Sequence, residues 1–365
     1  MDGSQTNGEK TVTAAAAPAS EGFVMPAEFA PHDRCLICWP TRSRAYWGDY
    51  YMLAQATYAA VARAIAACEP VLVVADVGEG GDARSYCGSE NIEVVELPID
   101  DSWIRDSGPI FLLGPRGKLA AADFVFNSWG EKYLPYDKDA EIGARACEYL
   151  GVPRFPAPLV LEGGSITVDG EGTLITTESC LLNPNRNPRL SKGQIEQALK
   201  DYLGVEKVIW LRAGLGIEED RDTDGHVDGV AAFVGPGRVL LHMVRDRNHP
   251  DYENLLENRR RLETTDARGR ELEVVEIDLR GDPVRVGAVS GIETYVNLYQ
   301  ANGAVIVPTG GTGHDLEALD WLRGVFCDRK VVGVPTPVIG YGGGGIHCIT
   351  QQVPASGGVS VPIFS

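Results

Sequence analysis

The chain has 365 residues, of which 44% are hydrophobic and 23% charged, the composition of a soluble globular protein with room for one large domain or two to three ordinary ones. Its 51 acidic and 33 basic residues give a formal net charge of -18, which disfavours nucleic acid and anionic membrane and either concentrates cations near the surface or serves solubility alone. No apolar run approaches the roughly 18–20 residues of a membrane span, and the eight cysteines are scattered through the chain rather than spaced as a disulfide framework.

Residues 1–22, which end in TAAAAPASEG, lack the basic start and apolar stretch of a signal sequence and read as a disordered tail. The expected compartment is the cytoplasm. CLICWP (35–40) reads as an apolar strand. No second cysteine or histidine pair completes a zinc set with its C-x-x-C spacing. In a strand the two thiols face opposite sides, so Cys35 and Cys38 are expected to be buried free thiols. A helix with apolar residues at three- and four-residue spacing follows at 50–67, then a strand at 71–76. The run 106–124 is a hairpin turning at GPRG, and a helix at 139–150 ends before Gly151. A second hairpin, 162–178, turns at DGEG. The helix after it, 191–203, opens on a Ser191–Gln194 capping box and stops at Gly204, with a strand at 208–211. The third hairpin, 226–244, turns at GPGR and leads to a helix at 249–262 and a strand at 272–278. The fourth, 294–309, turns at ANG and leads to a helix at 314–326 and a strand at 330–335. The chain then runs through GYGGGGIHCITQQVP (340–354).

A strand–strand–helix–strand (ββαβ) unit thus recurs about five times at roughly 50–70 residue spacing, a period that points to a propeller-like α/β array. CLICWP and IHCITQQV (346–353) are expected to pair and close the ring, which makes residues 23–365 one domain. The alternative on pattern alone is an ordinary α/β sandwich with irregular hairpins.

Polar clusters stand at the hairpin entrances: Asp106, Glu162, His226 with Asp228, and Cys348. Taken singly each is weak, since Asp106 could cap a turn and Glu162 could simply precede a glycine turn. In a ring of repeated units, equivalent positions converge near the axis. His226 and Asp228 lie two apart and would share one face of a strand. The set lacks metal-ligand spacing. A thiolate nucleophile needs an electrophilic carbon and a proton donor nearby, but carboxylates raise a thiol's pKa. They make sense if the substrate brings positive charge. A guanidinium fits: it is planar, always cationic, and its forked donors match carboxylates.

PAEFAPHDRCLICWP (26–40), DDSWIRDSGP (100–109), LEGGSITVDGEGTLITTESCLLNPNRNP (161–188), DTDGHVDG (222–229), YVNLYQANGAVIVP (295–308) and GGGGIHCITQQ (342–352) together resemble the agmatine deiminase family over residues 24–355. The resemblance implies a five-fold pseudo-symmetric α/β propeller and hydrolysis of agmatine to N-carbamoylputrescine and ammonia, a step of putrescine synthesis. Carried over by motif, Cys348 is the nucleophile, His226 the general acid and base, and Asp106 and Asp228 the guanidinium-binding carboxylates. Glu162 supports the histidine, and Asp222 lies near the substrate. Trp103 and Trp129 line the mouth of the site, with a place in the core as the other reading of each. The implied reaction passes through a covalent amidino-thioether on Cys348 and needs no metal or cofactor, and the implied assembly is a homodimer. His347, next to Cys348, is expected to point away from it along a strand.

Four segments depart from the family pattern: 215–226 with Arg221, 308–319, 290–303 with Glu293 and Gln300, and NSWGEKY with Glu131. Arg221 either recognises a carboxylate of an arginine-like substrate or pairs with Glu218, Glu219 or Asp222. The alternatives to an agmatine deiminase are a deiminase of another guanidine, an amidinotransferase, and a non-catalytic binder of cationic amines.

Overall fold

Helix-spaced apolar residues emerge as helices at Tyr51–Ala66, Ile142–Leu150, Lys192–Leu203, Tyr252–Arg261 and Asp315–Val325, each within a few residues of its predicted span. A computed structural model describes residues 17–216, 223–278 and 294–357, with the short paired strands Val284–Val286 and Val289–Gly291. The Ser191–Gln194 capping box forms in both directions, and Gly204 ends that helix in the left-handed conformation.

The architecture is a mixed α/β fold of small sheets, and five of the sheets share one plan. In the first unit Ile110–Leu113 pairs antiparallel with Leu119–Val125, which pairs parallel with Arg154–Val160 beyond the helix. The second unit repeats this with Ile166–Val168, Thr173–Thr177 and Lys207–Leu211. The third uses Ala231–Gly235, Arg238–Met243 and Glu273–Asp278. In the fourth the antiparallel partner shrinks to a bridge between Tyr299 and Ile306, and Ala304–Thr309 runs parallel to Lys330–Pro335. The fifth joins the two ends of the described chain. Thr350–Pro354 pairs antiparallel with His32–Cys38, which runs parallel to Val71–Ala75, and Ile92–Glu96 adds an outer strand.

Packing follows the same order. One buried cluster joins the first and second units through Leu112, Leu174 and Leu199. Others join the second to the third (Ile175, Val239) and the third to the fourth (Leu240, Val305). The fourth meets the fifth through Ile306 and Ile37, and the fifth meets the first through Leu36 and Ile142. Cys35 and Cys38 are buried free thiols on opposite faces of their strand, in different clusters.

Two expectations change. Pro18–Glu21, inside the expected tail, form a 3-10 turn with Pro18 buried, so the tail does not extend to residue 22. Residues 1–16 lie outside the described residues. The hairpin entrances are not strand ends. Asp106 sits on a one-turn helix (Ile104–Ser107), Glu162 caps a 3-10 turn (Gly163–Ser165), Asp228 lies in another (Val227–Gly229), and Cys348 in a fourth (His347–Ile349). The structure also adds a helix at Gly80–Cys87 and the strand Arg154–Val160. Pro156 and Pro158 hide that strand in the sequence, and they are tolerated because it lies at a sheet edge.

Candidate active site

The short helical turns bring five of the sequence-predicted side chains together. Asp106, Glu162, His226 and Asp228 are all buried, at 6% exposure or less, and Cys348 is at 9%. Gly164 marks the point of convergence. A methyl group there would lie 2.7 Å from Asp106 Oδ1, 2.7 Å from His226 Nδ1 and 2.9 Å from Asp228 Oδ2. Only glycine lets the backbone pass this close.

His226 stands between two carboxylates. Asp106 Oδ1 is 3.7 Å from Nδ1, and Glu162 Oε2 is 3.5 Å from Nε2. Neither ring nitrogen has a hydrogen bond. Burial opposes its charged form, but Asp106, Cys180 and Glu162 outweigh burial and lift His226 well above the usual histidine range. Asp106 receives the Trp129 indole N–H at 2.9 Å and the Gly164 backbone N–H at 2.9 Å. Burial raises its pKa against the pull of His226, with Asp228 and Glu162 adding to the rise. Carboxylate neighbours contribute to both shifts, although burial is the larger cause for Asp106, and both favour a proton or a cation beside these groups.

Glu162 is held ionised despite burial, because His226 and Arg186 act on it; Arg186 Nε donates to Oε1 at 2.6 Å. Arg186 also reaches Asp224 at 2.7 Å. Cys180 Sγ donates to Glu162 Oε2 at 3.7 Å. Glu162, Cys180 and His226 form the one group of three metal-ligating side chains close enough to share an ion among the described residues.

Cys348 Sγ lies 3.6 Å from Asp228 Oδ2 and 3.4 Å from Asn297 Nδ2. Burial, then Asp228 and Asp106, push its thiol well above the ordinary range, while donors from Gly345 and Asn297 oppose them. The glycines before it let the chain approach. A methyl on Gly344 would sit 2.4 Å from the Trp103 ring and 3.1 Å from Cys348 Cβ.

His347 overturns its expectation. It lies in a 3-10 turn, not a strand, and its Nδ1 meets Asp228 Oδ2 at 2.9 Å while Nε2 meets Glu28 at 3.0 Å. Burial and Arg105 lower its pKa, but Glu28 and Asp228 raise it further. Arg105 lies behind this pair: it donates to Glu28 at 3.0 Å, Gln352 at 2.7 Å and the His347 carbonyl at 3.2 Å.

A cleft of about 220 Å³ reaches Asp106 and Cys348, with Tyr46, Trp103, Trp129 and Tyr341 among the side chains that line it. Trp103 stacks on Trp47 as well, and Trp129 is buried, so both tryptophans serve the core and the cleft together. Ser128, Trp129 and Glu131 all hold positive φ, at 53°, 55° and 63°, a strained loop of the kind that clusters at functional sites. Asp222 and Arg221 lie outside the described residues, as does Glu293; Thr223 lines the cleft. Gln300 donates to the Phe233 carbonyl and its backbone to Glu28, away from the cleft.

Asn297, Glu28, Arg105, Arg186 and His347 are the residues that sequence reasoning left without a role. Asn297 carried a signal: it stands in YVNLYQ at the entrance of the fourth hairpin, where the other units place a titratable residue.

Residues 24–354 match the family described as Porphyromonas-type peptidyl-arginine deiminase. The chain is similar to the agmatine deiminase of Ectopseudomonas mendocina (strain ymp), 42% identical over 364 residues that span 93% of this chain and 98% of that one. The agmatine deiminase of Pseudomonas aeruginosa (strain LESB58) is 43% identical over 361 residues, 93% and 97% of the two chains. Among solved structures, the agmatine deiminase of Enterococcus faecalis superposes with a TM-score of 0.88 at 38% identity, covering 93% of this chain and 98% of its own.

Proposed function

The chain belongs to the Porphyromonas-type peptidyl-arginine deiminase family, and on that premise we propose that it is an agmatine deiminase, hydrolysing agmatine to N-carbamoylputrescine and ammonia. The observation that carries this reading is the convergence of Asp106, Asp228 and His226 on one point beside Gly164, with Cys348 against Asp228. A buried site with surplus negative charge recognises a cation, and two carboxylates beside a thiol recognise a planar one whose carbon is the electrophile.

The roles follow from the contacts. Asp106 and Asp228 hold the guanidinium nitrogens. The bound cation offsets the carboxylates that hold the Cys348 thiol up, so the thiol ionises and its proton passes to solvent. Sγ attacks the guanidinium carbon, and the His226 imidazolium protonates the departing nitrogen, which leaves as ammonia. The amidino group is then carried as a thioether. Neutral His226 takes a proton from water, the oxygen attacks the same carbon, and the Cys348 thiolate leaves. A histidine that acts first as acid is served by a raised pKa, which Asp106 and Glu162 supply. Arg186 keeps Glu162 ionised for that task. Asn297 donates to the sulfur and steadies the thiolate. Trp103 and Trp129 flank the alkyl chain.

The five sheet units stand round a pseudo-five-fold axis as a propeller, supported by the five clusters that join each unit to the next and the last to the first. That makes the chain from the Pro18 turn onward one catalytic domain. The protein acts in the cytoplasm, as a homodimer, in putrescine synthesis. No helix among the described residues is long and apolar enough to cross a membrane.

Ammonia release tests the activity directly. Agmatine is expected to release ammonia without an added amine acceptor, arginine and simple alkylguanidines far less. Cys348→Ser is expected to bind agmatine and release none. Preference for arginine would overturn the substrate, a requirement for an amine acceptor would overturn the deiminase, and turnover by Cys348→Ser would overturn the nucleophile.

A further inference from the structure

Behind the reacting sulfur lies a second thiol that the proposed reaction does not use. Cys180 is fully buried, 3.7 Å from Glu162 Oε2, and Glu162 Oε2 is 3.5 Å from His226 Nε2. One ligand atom from each of the three lies within 4.8 Å of the other two. A tetrahedral zinc ion, with bonds of about 2.0 Å to nitrogen and oxygen and about 2.3 Å to sulfur, spaces its ligand atoms roughly 3.3–3.7 Å apart. The Cys180–Glu162 and Glu162–His226 edges fall in that interval, and the third edge is no longer than 4.8 Å. The His226 ring nitrogens are buried without a well-formed hydrogen bond, and Nε2 faces Glu162 Oε2 across 3.5 Å, so an ion there takes the place of the Nε2 proton.

The surroundings suit one. Asp106 Oδ1 faces Nδ1, the other ring nitrogen, at 3.7 Å, the place where a metal-bound imidazole commonly finds a carboxylate to accept its N–H. Glu162 is anchored through its other oxygen by Arg186 at 2.6 Å. Arg186 is a charge against the ion, but Glu162, Asp106 and Asp228 stand around it, and a bound metal ionises its thiol ligand.

We propose that Glu162, Cys180 and His226 form an inhibitory site for a thiophilic divalent cation such as Zn2+, which silences the enzyme by occupying the Nε2 of His226. The ion is not a cofactor. It binds in place of the Nε2 proton, and while it is bound the remaining proton is fixed on Nδ1, so His226 cannot cycle between imidazolium and neutral imidazole. Binding stands apart from the proposed reaction; only the inhibition depends on the role given to His226.

Two readouts separate these. Co2+ is added to the full-length Cys348→Ser protein, which retains Cys180 and lacks the other thiol of the site. A cobalt–thiolate charge-transfer band is expected, and it is expected to vanish in Cys348→Ser/Cys180→Ser. Zn2+ inhibition of ammonia release is then compared between the native protein and Cys180→Ser, each against its own uninhibited rate. The concentration for half-inhibition is expected to rise at least tenfold. A cobalt–thiolate band that survives loss of Cys180, or is absent while Cys180 is present, overturns the site. Equal zinc sensitivity of Cys180→Ser overturns it too and assigns the effect to Cys348. If Cys180→Ser fails to fold, Cys180→Val is used for the same comparison. A band lost with Cys180 but no zinc inhibition would keep the metal site and overturn its inhibitory action.

Discussion

At the scale of single residues, the site depends on an atom that is missing. Gly164 leaves room for three side chains that a methyl group would touch at 2.7–2.9 Å, closer than carbon and oxygen approach without displacement. Gly164→Ala is expected to lower kcat/KM for agmatine by at least 100-fold while near-ultraviolet circular dichroism stays native; activity within tenfold of native would show that Asp106, His226 and Asp228 need not converge there. His347 makes a different argument. Asp228 is held ionised despite burial, first by His347. Replacing that imidazolium with the neutral amide in His347→Asn removes the cause, so the Asp228 pKa rises. The acid limb of the kcat/KM profile is expected to shift to higher pH, with KM affected more than kcat. An unmoved acid limb would return His347 to a purely structural role. The misreading of His347 has a physical source. Alternation along a strand puts neighbours on opposite faces, but the strand begins at Thr350 and the turn before it turns both side chains inward.

At the scale of elements, amphipathic helices and glycine turns were legible because burial of one face writes a period into the sequence. The same period cannot mark a one-residue bridge such as Tyr299 with Ile306, nor a proline-bearing edge strand such as Arg154–Val160. Hairpin entrances were legible as places where titratable residues recur, whereas the helical turns that aim them were not, since three or four residues carry no periodicity. The charges that support the site were hidden because their partners are remote in sequence. Glu28 precedes the first strand, yet it binds Arg105 and His347 and caps the backbone N–H of Gln300. It therefore ties the first, fourth and fifth units together. Burial raises its pKa, but His347 and Arg105 prevail and bring it from 4.5 to about 2. A depressed folded pKa means that the stabilisation is complete above about 4.5 and disappears as pH falls toward about 2. Breaking one partner of a buried ion pair costs roughly 3–5 kcal/mol. Glu28→Gln is expected to lose stability of that order at neutral pH, measured by urea unfolding, and the gap to the native protein is expected to close as the pH is taken down through 4 and 3. A gap independent of pH would mean that Glu28 acts by shape and not by charge.

At the scale of the whole molecule, one surface property and one local property both favour a cation, and they can be told apart. The net charge of -18 creates a long-range field that concentrates cations near the surface, and salt screens it, with a Debye length of about 8 Å at physiological ionic strength. The carboxylates of the site are buried, so salt screens them far less. Agmatine carries two positive charges, a guanidinium and an ammonium, whereas a simple alkylguanidine carries one. A long-range field acts on total charge, so the logarithm of kcat/KM for agmatine is expected to fall with ionic strength about twice as steeply as for a monocationic alkylguanidine, with kcat nearly constant for both. Steady-state kinetics across about 0.01–0.15 M NaCl, the range over which the Debye length shrinks from about 30 Å to 8 Å, measure both slopes. Equal slopes would place the salt-sensitive recognition at the guanidinium alone. Flat slopes would mean that the acidic surface serves solubility and that the buried carboxylates do all the recognition.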